Sequence, residues 1–344
     1  GGSVHRGEAT TAPQTGGSGA PLEARERVIC SSMNYSTAAE ASRFTGSLLA
    51  AACGDCLGAV YEGYSGTDLA EAYYDGRFEV GSLTMGEWTD DTAMLIATAQ
   101  SIAEFGRVDG EDLARRYLAW FEAGGRGIGR ATYHAMKRLQ SGTAWERAGE
   151  HGEYAAGNGV AMRIAPVGLL HAGRLEGLRE DVRTCGVITH RNEEALDGAY
   201  AVAYAVALAA VGELDPETIL LQILDQLQPS RVSDALSECA HLLEAQEPPL
   251  AALPQLSLGG AAFETVPTAF YCFLRRPESV REALVSSIVA GGDTDTRACI
   301  AGAISGAYNG SGRIPPRWRR EVPHREGIEG LGAILHRAVR DQHL

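Results

Sequence analysis

The chain has 344 residues, 45% of them hydrophobic, with a formal net charge of −14; this allows one large domain or two ordinary ones around a substantial core. The acidic balance argues against stable nucleic-acid binding, which wants a basic face, though not against a small phosphorylated ligand. No unbroken run of 18 apolar residues appears and the start has no apolar signal core, so neither a membrane span nor a secretory leader is expected.

Residues 1–38 are rich in Gly, Thr, Ala and Ser ("TTAPQTGGSGAP") and carry no apolar period. They read as a cloning remnant and a flexible, disordered tail, with order expected from about Ala39. From there "AEASRFTGSLLAAACGDCLGAVYEG" places apolar residues at three- and four-residue steps with small residues between them, a helical pattern. Asp55 is unusual inside it, surrounded by small and apolar neighbours; it reads as a buried hydrogen-bonded group or an acid that orients metal ligands. Glu62 follows on a Gly-rich stretch, where spacing alone favours a solvated loop residue. "GEWTDDTAML" brings Thr89, Asp90 and Asp91 to a helix start. Capping and the helix dipole explain such acids as readily as a ligand does.

Two Gly-rich segments come next: "GGRGIGR" with Gly127 and Gly129, and "GNGVAMRIAP" with Asn158. Neither follows a strand, so the dinucleotide fingerprint does not apply, and ordinary turns account for both. His190, in "ITHRNEEALDG", precedes a long Ala/Val helix and by itself reads as a capping or core residue. "VAGGDTDTRAC" ends the series, with Asp293, Thr294, Asp295 and Thr296. A single N-cap needs one such residue, and four exceed what the backbone can use. Carboxylate and hydroxyl oxygens at two helix starts suit hard divalent cations, Mg²⁺ or Mn²⁺, if the two starts meet.

Hairpin signals are missing, so the fold is read as one all-α domain of ten or more helices over residues 39–344. Seven scattered cysteines make a poor disulfide framework, and Cys53–Cys56 lacks the second pair a zinc site needs. A reducing, cytoplasmic setting follows.

Taken in order, "GSLLAAACGDCLGAVYE", "WTDDTAM", "GNGVAMRIAP", "ITH" and "GGDTDT" make residues 42–340 resemble the ADP-ribosylglycohydrolase family, the ADP-ribosyl-acceptor hydrolases. "CGDCLGAVYEG" and "AAFETVPTAFYCFLRR" look most like the branch that removes ADP-ribose from serine. The resemblance implies a compact orthogonal multi-helix bundle and a Mg²⁺-dependent glycosidase with a binuclear centre held by Thr89, Asp90, Asp91, Asp293, Asp295 and Thr296, with Asp295 as the bridge. It implies that Glu62 is a gating and catalytic loop glutamate, that Asp293 is the second catalytic candidate, and that Gly127, Gly129, Asn158 and His190 contact ADP-ribose. The expected substrate is O-linked ADP-ribose on a protein or peptide, or O-acetyl-ADP-ribose, handled by a monomer. Arginine or a nucleic-acid base as acceptor, and a non-catalytic ADP-ribose binder, are the alternatives. The chain departs from the serine-directed pattern at Ala155 and Ala156, where that branch carries a Ser-Tyr pair, and at Ala131, where it carries Gly.

Overall fold

The computed structural model describes residues 2, 22–76, 80 and 86–342. The chain divides into two units, residues 1–38 and 39–344. Helix α1 spans Leu22–Gly58. "LEARERV" consists mostly of strong helix formers, and propensity prevails there over the missing apolar period. Residue 1 and residues 3–21 of the expected tail lie outside the described residues.

The described residues form seventeen α-helices. The one ladder among them is a parallel pair, Glu150–His151 against His190–Arg191, so the chain is all-α, as its periodicity indicated. The helices that build the site are α2 (Gly66–Tyr74), α3 (Asp90–Phe105), α4 (Gly110–Glu122), α5 (Arg130–Gln140), α6 (Glu193–Val211), α7 (Ala262–Leu274), α8 (Val280–Val289) and α9 (Thr294–Asn309). Their ends follow sequence signals. Thr89 caps α3, which stops at Gly106 with φ 66°. Asn192 caps α6 through the N–H groups of Glu194 and Ala195, and Gly212 ends it with φ 80°.

Helix α9 is the axis of the second unit. It packs against α6, α7 and α8, and every residue from Thr294 to Ala307 is buried. Against α1 it forms a seam of glycines. A Cβ on Gly46 would lie 2.3 Å from the Gly306 carbonyl oxygen, one on Gly54 2.2 Å from that of Ala298, and one on Gly302 2.4 Å from that of Ala50. The four-residue spacing of small residues on both helices therefore lets the two backbones touch along one face. That contact fixes Asp55, next to Gly54, relative to Asp295, at the start of α9.

By length and apolar character α6 could cross a bilayer, which the unbroken-run criterion missed, but it is largely buried within the protein. The six described cysteine side chains are free and buried. Burial pushes the Cys53 and Cys56 thiols up, which suits inert core positions.

Candidate active site and metal centre

Asp55 is fully buried on α1. Its carboxylate accepts from the backbone N–H of Thr89 at 3.0 Å, the N–H of Thr92 at 3.0 Å and the Thr89 hydroxyl at 2.9 Å. These are N–H groups that a helix start leaves without partners. An acid on α1 thus caps α3 and locks the Thr89–Asp91 segment in place.

The next carboxylate, Asp91, has its Oδ2 within 3.1 Å of the Thr89 hydroxyl and 3.3 Å of the Thr296 hydroxyl. Its Oδ1 is buried and has no hydrogen-bond partner. Asp55, Asp91 and Asp295 each offer an oxygen within 4.8 Å of the others. The Thr296 N–H donates to Asp295 Oδ1 at 2.9 Å. From the opposite wall, Asn158 Nδ2 donates to Asp293 Oδ2 at 2.7 Å and to Thr265 Oγ1 at 2.9 Å.

This crowding is electrostatically unfavourable without cations. Burial first, then neighbouring carboxylates, push Asp90 up to about 7 and Asp295 up to about 8. The same causes raise Asp91 well above the usual carboxylate range. The nearby buried guanidiniums are engaged elsewhere. Arg297 donates to the carbonyls of Ser287 and Gly291 at 2.8 and 3.0 Å. Arg163 donates to those of Gly159 and Cys185 and to the Thr189 hydroxyl. An oxygen-only donor set with an unsatisfied buried carboxylate oxygen fits a hard divalent cation, which would replace the protons these acids otherwise hold.

Glu62 sits on the loop after α1. The Gly63 N–H donates to the Gly292 carbonyl at 3.1 Å, and the Gly292 N–H to the Tyr64 carbonyl at 3.2 Å. Gly63 and Gly292 have φ of 79° and 72°, so this zipper relies on glycine. It holds the Glu62 loop against the Asp293 turn.

A cavity of about 300 Å³ collects these groups. Glu62, Asp90, Asp91, Asp293, Asp295 and Thr296 line it together with Gly127, Gly129, Asn158 and His190. Of the eleven residues that the family resemblance assigns to the site, Thr89 alone does not line it. Its side chain turns to Asp55, and the residue borders a neighbouring cleft of about 450 Å³ instead. Gly127 (φ 82°) leaves room for Asp90, since a Cβ there would lie 2.7 Å from Asp90 Oδ1. The Gly129 N–H bonds the Asp90 carboxylate. Asn158, expected to touch ligand, spends its amide on positioning Asp293.

His190 is buried, and burial followed by the Arg163 charge lowers it to about 3, so it is neutral at working pH. The Thr189 hydroxyl accepts from Arg163 at 2.7 Å and lies 2.8 Å from His190 Nδ1. The tautomer assigned from that network places the ring proton on Nε2. Gly157 and Gly159 approach the ring closely enough that no larger residue fits there without movement.

Sequence reading left Asp55 outside the proposed ligand set and did not find Thr265, Thr189 or Arg163. An acid within a small-residue helix was the available sign for Asp55. The other three carried none.

Oxygen donors gathered at two helix starts around an acidic cleft, within an all-α domain, fit a metal-dependent hydrolase. Residues 36–343 match the family model described as ADP-ribosylglycohydrolase, and the chain belongs to that family. The ADP-ribosylhydrolase ARH3 of Xenopus tropicalis is 36% identical over 343 residues, covering 87% of this chain and 96% of that protein. The ADP-ribosylhydrolase ARH3 of Bos taurus is 34% identical, covering 87% and 93%. A solved structure titled ADP-ribosylglycohydrolase-related protein complex shares the fold with a TM-score of 0.69 and 29% identity, covering 87% of this chain and 99% of that one.

Proposed function

We propose that the protein hydrolyses O-linked ADP-ribose, on serine or as O-acetyl-ADP-ribose, with two Mg²⁺ ions (or Mn²⁺) as cofactors. The observation that carries this reading is the meeting of the α3 and α9 helix starts in one cavity, with Asp91 Oδ1 left unsatisfied. Thr89, Asp90, Asp91, Asp293, Asp295 and Thr296 would hold the ions, with Asp55 fixing the Thr89–Asp91 segment. When bound, the ions neutralise the acids and engage the hydroxyls of the ribose to be cleaved.

Cleaving the glycosidic C–O bond builds positive charge on the sugar and negative charge on the leaving oxygen. A water oxygen replaces the leaving oxygen at the anomeric carbon, and one proton must travel from water to the departing group. We assign that proton transfer to Glu62, which sits on the rim beside Asp293 and Asp295, with Asp293 as the second candidate. The floor of carboxylates favours the developing positive charge on the sugar. His190 stays neutral and presents an N–H to ligand. The free, buried cysteines support a reducing compartment, the cytoplasm.

The test is release of ADP-ribose from peptides modified on serine or on arginine, with Mg²⁺ and with EDTA. Release from the serine peptide that EDTA abolishes supports the reading. Release from the arginine peptide alone moves the acceptor, and tight binding without release makes the protein a binder.

A further inference from the structure

The cavity is lopsided in charge. Glu62, Asp90, Asp91, Asp293 and Asp295 all line it, and among the described residues the single cationic side chain lining it is Arg130. Arg130 opens α5, is exposed, and makes no ion pair with a carboxylate among the described residues. Its Nη2 donates to the Tyr154 carbonyl at 3.4 Å, and its guanidinium lies 5.7 Å from the centroid of the Tyr154 ring. Tyr154 also lines the cavity and is 82% exposed. Beside this pair, Ala155 and Ala156 are buried and offer no polar side chain. Gly129 gives α5 no side-chain cap, and Gly129, Arg130, Ala131 and Thr132 of that helix start line the cavity.

A phosphorylated sugar cannot put its phosphates against five carboxylates. It can put them against Arg130, which leaves the ribose to the carboxylates. The base then reaches the Tyr154 ring, a π-face already leaning on a cation. We propose that Arg130 and Tyr154 form the outer grip for a nucleoside diphosphate, Arg130 taking the diphosphate and Tyr154 the base. This deepens the ADP-ribose reading above and rests on it.

Calorimetry on the full chain with ADP-ribose, ADP and ribose 5-phosphate tests the grip, with steady-state kinetics alongside. Arg130→Gln should weaken ADP-ribose and ADP about tenfold, and Arg130→Lys should restore part of that loss. Tyr154→Ala should weaken the same two ligands about tenfold and leave ribose 5-phosphate unchanged. In both variants KM should rise while kcat holds, because the lost contact acts on ground and transition state alike. Both side chains are exposed, and an unchanged melting temperature would confirm the fold. Wild type that binds ADP-ribose, with Arg130→Gln and Tyr154→Ala binding it within about twofold, overturns the grip alone. Wild type that binds no ADP-ribose overturns the parent reading together with it.

Discussion

Stripping divalent cations should make the protein lose stability as the pH rises from 6.5 to 8. Without metal, Asp90 and Asp295 hold their protons up to about 7 and about 8, against 3.8 for ordinary aspartates. Raised carboxylates contribute stability that is complete below the unfolded value and is lost as pH climbs through the folded one, because there the unfolded chain binds fewer protons. Each such group costs about 1.4 kcal/mol per pH unit in that window. His190 acts in the opposite sense. Its lowered value, about 3 against 6.5, makes stability fall as pH drops below 6.5, so it contributes little above that point. Between pH 6.5 and 7.5 the metal-free protein should therefore lose roughly 2 kcal/mol, or a few degrees of melting temperature. With saturating Mg²⁺ the carboxylates carry a cation instead of a proton, and the loss should vanish. The measurement is thermal unfolding in EDTA and in Mg²⁺ at half-unit steps from pH 6 to 8.5. A gap between the two curves that stays constant with pH, or an EDTA curve that rises toward pH 8, would refute the account of a proton-for-metal exchange at these acids.

Glu62→Gln should bind ADP-ribose nearly as wild type does while turnover drops by about 10²–10⁴, and normal turnover would remove Glu62 from proton transfer. Asp55→Ala deprives the buried N–H groups of Thr89 and Thr92 of their acceptor. It should cost about 2–4 kcal/mol in denaturant unfolding and weaken Mg²⁺ binding, and a variant as stable as wild type would show that the cap is dispensable. Gly302→Ala places a methyl 2.4 Å from the Ala50 carbonyl oxygen. It should destabilise by about 1–3 kcal/mol and lower metal affinity with it, since α1 and α9 must part; an unchanged affinity in calorimetry would uncouple the seam from the site.

The all-α class and the two acid clusters were legible because both are local signals: helical periodicity, and more cap residues than one helix start can use. The glycines at positions 46, 54, 302 and 306 were visible as small-residue spacing, but their mutual contact was not, since each helix shows only its own half of the seam. Distance along the chain hid the rest. The Asn158 amide meets Asp293 across 135 residues, and Thr296 meets Asp91 across 205. The Thr89 hydroxyl meets both Asp55, 34 residues away, and Asp91, and only the second contact is local enough for spacing to report.

The glycine seam between α1 and α9 has a consequence for how such a site can diverge. Backbone pressed on backbone has no rotamers to adjust, so nearly any replacement along the joint must spread the scaffold that aligns Asp55 with Asp295. Innovation is thereby steered outward, to surface positions such as Arg130 and Tyr154 that can be exchanged without disturbing the hinge-free interior. Descendants of this architecture should keep their chemistry fixed while trading one recognition rim for another.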